Sequence, residues 1–288
     1  MARVELELRG AGGEPVHFWR TVNSHGLNDL LPNRIDTEAR TLELTVHPGP
    51  QTVVVREARP GVATIEGRAP RAVREVVRHV LRLDEDLSEL YALLAEDPDL
   101  AWTTVGAGRM MRSPTVFEDV VKTICTTNCA WSGTVRMTTA LVEHLGDESD
   151  RGRHAFPTPA AMAQATERFY REVARAGYRG AYLRSLADSV AAGELDLEVL
   201  QADRELPDDE VEARLLALPG VGPYAAAHVM MLIGRYSRLV LDAWTRPTYA
   251  KLNGRKASDA TMTRRFRRYG RYSGLAFWLY LTRGWVTD

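Results

Sequence analysis

Leu215-Leu216-Ala217-Leu218-Pro219-Gly220-Val221-Gly222-Pro223-Tyr224-Ala225-Ala226-Ala227 is the stretch from which the rest of the chain is best read. An amphipathic segment runs into two glycines separated by one apolar residue, and an alanine-rich segment opened by proline follows at once, which spells helix, tight turn, helix. Glycines at 220 and 222 remove side chains from the turn. Backbone N–H groups at the start of the second helix can then approach an anion such as a phosphate, helped by the helix dipole. Such a loop grips a backbone and carries no base-sequence preference. Read alone, the same spacing equally describes a helix connection that binds nothing.

Downstream, Tyr236-Ser237-Arg238-Leu239-Val240-Leu241-Asp242-Ala243-Trp244-Thr245-Arg246-Pro247 delivers one carboxylate, on Asp242, from an apolar segment to the start of another helix. In isolation that residue is an ordinary N-cap. Upstream, Val73, Val76, Val77, Val80 and Leu81 share one helical face after Pro70. Ser113-Pro114 is expected to open a helix through Ile124 as cap and first-turn proline. Further helices are expected from about residues 131, 166, 182, 207, 223, 244 and 272. Before Pro70 the period is two instead: Val4-Glu5-Leu6-Glu7-Leu8, Leu42-Glu43-Leu44-Thr45-Val46 and Val53-Val54-Val55, punctuated by turns at His47-Pro48-Gly49-Pro50 and Arg59-Pro60-Gly61. The reading is an α+β chain, mostly helical, with a small antiparallel sheet domain over residues 1–69 and an all-helical domain over residues 70–288. Residues 18–26 give no structural signal, and residues 146–153 read as a charged, mobile loop.

The whole chain sets the limits. Its 288 residues are 45% hydrophobic, enough for a packed core. It has no apolar run of the roughly 20 residues a membrane helix needs, and its start is too charged for a signal peptide. The expected setting is cytoplasmic, alongside the nucleoid, with no membrane partner. The two cysteines, Cys125 and Cys129, are too few for an iron–sulfur cluster, a cysteine zinc site or a disulfide framework, and no catalytic metal or organic cofactor is expected. A formal net charge of -1 gives no bulk attraction to nucleic acid, so any DNA contact must rest on local features. Arg264, Arg267, Arg268 and Arg271 fall on one helical face, which reads as phosphate contacts or, more commonly, as a solvated surface.

Leu-Pro-Gly-Val-Gly at 218–222, followed by the apolar segment and Asp242, resembles the helix-hairpin-helix, Gly/Pro-rich, Asp-containing (HhH-GPD) superfamily of DNA glycosylases. The likeness extends over about residues 70 to 285. It includes residues 113–145, Ala155-Phe156-Pro157-Thr158-Pro159 and Gly177-Tyr178-Arg179-Gly180-Ala181-Tyr182, which are similar to the branch of 8-oxoguanine and 3-methyladenine glycosylases. The resemblance implies excision of a damaged base from double-stranded DNA by base flipping. It also implies a catalytic role for Asp242, whose charge would stabilise the positive charge that develops on the sugar. Gly220, Val221, Gly222 and Pro223 would hold the DNA backbone, with a monovalent cation on the hairpin's carbonyls. Asn128 matches the residue that fills the gap left by the flipped base, although without the resemblance it reads as an asparagine ending a helix. Family members that also cut the strand carry a lysine where this chain has Tyr224, so hydrolysis without lyase activity is expected.

Tyr224, Trp131, Trp244 and Phe277 are the expected walls of the base pocket, with Trp278 beside Phe277; each aromatic is equally readable as core. Aromatic faces favour charged or electron-poor bases, and Phe277 stands where 8-oxoguanine enzymes place a base-reading glutamine. Both features point to alkylated purines such as 3-methyladenine or 7-methylguanine. Asn128 is instead the residue type of the 8-oxoguanine branch. Removal of oxidised or deaminated purines such as 8-oxoguanine or hypoxanthine therefore stays open, as does a DNA-binding protein that kept the hairpin and lost catalysis. Scanning a duplex suits a monomer.

Overall fold

A computed structural model describes residues 3–286 and shows an α+β architecture. Five strands, β1 (Arg3–Glu7), β2 (Arg34–Asp36), β3 (Thr41–Val46), β4 (Gln51–Arg59) and β5 (Val62–Glu66), form one antiparallel sheet in the order β1-β5-β4-β3-β2. Strict alternation makes one face apolar. Leu42 opposes Val55, Leu44 opposes Val53 and Val55 opposes Ile65, all of them buried.

The helix Arg71–Val80 covers that face, and its Val73, Val77 and Val80 join the sheet's core together with Leu81, Leu83 and Met111. A boundary at residue 69 therefore cuts through a hydrophobic core. By packing, this helix shares its core with the strands. Residues 146–153 are likewise tied down: Glu148 bridges His154 in β fashion, and the buried Ser149 hydroxyl lies 2.7 Å from that of Thr52 on β4. This charged segment is a strut between sheet and helices.

The helical part has two cores. One gathers the helices Val116–Thr126, Trp131–Leu145 and Arg179–Ala191 with the hairpin, and the other surrounds the final helix Ser273–Thr282. The hairpin's second helix, Pro223–Leu232, runs between them, giving Ala225, Ala226, Val229 and Met230 to the first core and Ala227 and Met231 to the second. An all-round apolar surface is what such a central helix needs. Its C-terminal end is fixed by Arg82, whose buried guanidinium donates to the Leu232 and Met110 carbonyls and pairs with Glu85. A cation there complements the helix dipole.

Two local expectations change. The helix expected from Ser113 starts at Val116, because Thr115 is the cap: its hydroxyl accepts the Glu118 N–H at 3.2 Å. The arginine face breaks up, because the helix Asp259–Phe266 ends and the chain kinks at Gly270 (φ 55°, ψ −125°), sending Arg268 to Asp97 and Arg271 to Glu89. Those two arginines are ion-paired within the fold. Among the described residues no helix is long and apolar enough to cross a membrane.

Candidate active site

The hairpin's first helix, Asp208–Leu216, leads into a turn closed by the Val221 N–H donating to the Leu218 carbonyl at 3.1 Å. Its two glycines do different work. Gly220 has φ +83°, and a Cβ there would lie 2.7 Å from the Tyr182 ring, so the fold itself demands glycine. Gly222 has φ −100°, and a Cβ there would meet nothing within 4 Å. Internal packing does not explain its bare backbone; close approach of a ligand would. Gly222 also occupies the cap position of the second helix without supplying a side-chain cap, and Pro223 follows at the first helical position. Pro219, Gly222 and Pro223 are exposed while Val221 is buried, so the turn presents backbone and anchors itself by one apolar side chain.

Asp242 ends the extended segment before the helix Thr245–Asn253 and is half-buried. Its Oδ1 accepts the N–H groups of Trp244 at 2.8 Å and Thr245 at 2.6 Å, and the Thr245 hydroxyl accepts the Asp242 N–H at 2.8 Å. Reciprocal capping of this kind fixes the carboxylate's orientation. Both bonds fall on Oδ1, which leaves Oδ2 for a partner outside the cap. The neighbouring Arg246 is turned to Asp259 by two bonds of 2.8 and 2.9 Å and reaches Asp242 only through its charge.

Near Asp242 stand Tyr224 and His228, one turn apart on the hairpin's second helix. Burial raises the Tyr224 hydroxyl pKa, and the Asp242 charge adds to the effect. Burial lowers the His228 pKa to about 4, with the Asp242 charge working against the shift. Both therefore lie within reach of the Asp242 field. His228 stacks on Trp278 with ring centroids 6.3 Å apart, and Trp278 meets Trp244 at 5.5 Å and Trp285 at 5.9 Å. The Trp278 indole N–H donates to the Ser24 carbonyl at 2.8 Å.

The structure thus brings Tyr224 and Trp244 into one aromatic wall and adds Trp278, Trp285 and His228. Trp131 is 49% exposed, and its ring lies 3.7 Å from where a Cβ on Gly26 would be. Phe277 does not belong to this wall. It is fully buried in the second core against Phe266 at 5.2 Å and Tyr249 at 6.2 Å, and its neighbour Trp278 faces the site instead.

Asn128 follows the helix Val116–Thr126 with φ +46°, the left-handed backbone that ends helices and that asparagine tolerates, and its side chain is exposed. Both readings of this residue coexist: it stops the helix and it projects. Its amide nitrogen donates to the Tyr178 hydroxyl at 3.4 Å, and the half-exposed Tyr178 ring is backed by the Arg179 guanidinium 4.5 Å away. Arg179 in turn donates to the Thr127 carbonyl, bracing the turn that carries Asn128. The sequence reading gave Tyr178, Trp285, His25 and His228 no role. Among the described residues no three or more His, Cys, Asp or Glu side chains gather where they could hold a metal ion.

The fold has counterparts among known proteins. No family model matches the chain. The N-glycosylase/DNA lyase OGG1 of Arabidopsis thaliana is 27% identical over 259 residues, spanning 79% of this chain and 68% of that protein. MBOgg1, solved in complex with a low-affinity DNA ligand, superposes with a TM-score of 0.77 at 19% identity, covering 98% of this chain and 96% of that one. The 3-methyladenine DNA glycosylase from Archaeoglobus fulgidus gives 0.75 at 22% identity over the whole of both chains. The Clostridium acetobutylicum 8-oxoguanine glycosylase/lyase, bound to duplex DNA with cytosine opposite 8-oxoguanine, gives 0.71 at 24% identity over 90% of this chain and 92% of that one. The chain carries the fold of the helix-hairpin-helix (HhH-GPD) DNA glycosylases, sheet domain included.

Proposed function

We propose that the protein is a monofunctional DNA glycosylase that everts an alkylated purine from duplex DNA and hydrolyses its N-glycosidic bond with Asp242. The observation that carries the reading is the placement of a doubly capped carboxylate, with one oxygen left over, opposite an aromatic wall beside the hairpin. As the bond to the base breaks, positive charge develops on the sugar. A carboxylate already held in position stabilises that charge without reorganising and can orient the attacking water. The turn at 220–223 seats the phosphate chain through backbone N–H groups, and Asn128 with Tyr178 enters the gap left in the stack. Where a monovalent cation sits at the hairpin, the turn's main-chain carbonyls would hold it and it would add positive charge toward the phosphate. The Leu218 and Gly222 carbonyls each accept one N–H and keep a second lone pair for such a role.

The aromatic wall favours an electron-poor or cationic base. His228 is neutral at physiological pH and opposes no such cation. Lyase chemistry needs an amine, and this chain has three lysines. Lys122 is buried in an ion pair with Glu118 at 2.6 Å, and Lys251 and Lys256 lie at and beyond the end of the helix Thr245–Asn253. A second reading, excision of oxidised purines, is favoured by the activity named for the Clostridium protein. A base-release assay on methylated DNA and on an 8-oxoguanine:cytosine duplex separates the two, with Asp242→Asn as control. A complex trapped by borohydride would overturn the monofunctional assignment.

A further inference from the structure

Two imidazoles meet at the inner end of the aromatic wall. His25 comes from the segment between the short helix Phe18–Val22 and the single turn Gly26–Asp29, and His228 from the hairpin's second helix. They are 5% and 4% exposed, and their rings are perpendicular with centroids 6.0 Å apart.

Their tautomers follow from their partners. His25 Nε2 lies 2.6 Å from the Met111 carbonyl, which can only accept, so Nε2 carries the proton and Nδ1 is a bare lone pair. For His228 a chain of hydroxyls decides. The Thr126 hydroxyl donates its one proton to the Thr123 carbonyl at 2.7 Å. Tyr224, 3.2 Å from the Thr126 oxygen, must therefore donate to it. The Tyr224 oxygen is then the acceptor for His228 Nδ1–H at 3.4 Å, and Nε2 is a second bare lone pair. Burial keeps both rings neutral, with pKa values lowered to about 3 and about 4. Among the described residues neither His25 Nδ1 nor His228 Nε2 finds a hydrogen-bond partner. Leaving one such acceptor buried is costly, and two within one site call for donors from outside. A cleft of about 280 Å³ lies beside this pair, lined by His25, Gly26, Ile35 and Trp285.

We propose that His25 and His228 together read the edge of the everted base and select a guanine-derived lesion over an adenine-derived one. This rests on the glycosylase reading of the same pocket and deepens it. A guanine skeleton presents N1–H and the 2-amino group side by side, two donors for two lone pairs. An adenine skeleton presents one amino group beside a ring lone pair, which faces a histidine lone pair unfavourably.

The test measures release of 7-methylguanine and 3-methyladenine from the same methylated duplex, each relative to its spontaneous loss, by the intact protein and by His228→Phe and His25→Phe. Phenylalanine at 228 keeps a ring against Trp278 and removes the lone pair. The guanine-to-adenine ratio is expected to fall by about tenfold or more in each variant. The unmutated protein provides a second arm that does not depend on a variant folding: 7-methylhypoxanthine, which lacks the 2-amino group, is expected to leave about tenfold more slowly than 7-methylguanine. Equal rates for those two bases, or equal losses on both lesions in the variants, would overturn base reading by this pair while leaving the glycosylase reading intact. Release of no base from any methylated duplex would sink the glycosylase reading and this inference with it.

Discussion

The hairpin and residues 23–33 meet where the His228 and His25 rings pack edge to face, and they are held in opposite ways. The hairpin's shape is local: glycine at 220, proline at 223 and an N–H to carbonyl bond three residues apart define it. Residues 23–33 owe their place to distant partners. The Ser24 carbonyl accepts from Trp278, the Ser24 hydroxyl accepts the Met111 N–H at 2.9 Å, and His25 bonds the Met111 carbonyl. The hairpin, proposed to grip DNA, should therefore tolerate changes elsewhere, whereas residues 23–33, proposed to face the base, depend on the integrity of the whole fold.

The largest effect is expected at the point both sides serve. Asp242→Asn should lower single-turnover base release roughly a hundredfold to a thousandfold, the scale of removing one preorganised electrostatic group. Asparagine also caps helices, so the melting temperature should stay within a few degrees of the parent. An unchanged release rate would dissociate the carboxylate from the chemistry.

Next come the two hairpin glycines, which the structure sets apart. Gly220→Ala forces a side chain into left-handed backbone and against Tyr182, and should cost about 1–3 kcal/mol in a denaturant titration. Gly222→Ala meets no protein atom and should cost no more than about 1 kcal/mol, the penalty of alanine at a helix cap. It should nevertheless weaken binding to damaged and undamaged duplexes alike, by about tenfold. If its effect depended on the base, the turn would be reading more than backbone.

On the opposite side, Trp278→Phe removes the indole N–H that holds Ser24. It should cost about 1 kcal/mol and speed amide exchange in residues 23–33 while leaving residues 217–224 protected. Equal loosening of both segments would abolish the distinction between them.

The same distinction explains what could be read from the sequence. Turn glycines, a proline at a helix start and a capping aspartate act over a few residues, so the hairpin, Asp242 and the sheet's alternation were legible. Phe277 and Trp278 were not separable, because the final helix is buried on every side and its periodicity carries no phase. His228 was hidden for the same reason within Pro223–Leu232. His25 lies where no periodicity exists and only tertiary bonds decide. The arginines at 264–271 misled by spacing alone, since a kink at Gly270 divides them.

The smallest effect belongs to the histidines' titration. An imidazole held near 4 in the folded chain takes up a proton less readily than in the unfolded chain, where its pKa is near 6.5. Acid therefore favours unfolding: the contribution is complete above about pH 6.5 and is lost as the pH falls toward 4. Asp119 works the other way. Burial raises its pKa to about 6, so the folded chain binds that proton more readily and gains stability as the pH drops from 6 toward the ordinary carboxylate range. Comparing parent with His228→Phe cancels Asp119 and leaves His228 together with the part of the His25 shift that the His228 charge causes. Between pH 7 and pH 6 the parent should lose about 0.5 kcal/mol more stability than the variant, measured by urea titration at each pH. Parallel losses would place the His228 ring in contact with solvent, outside the closed end of the pocket where its lone pair is assigned.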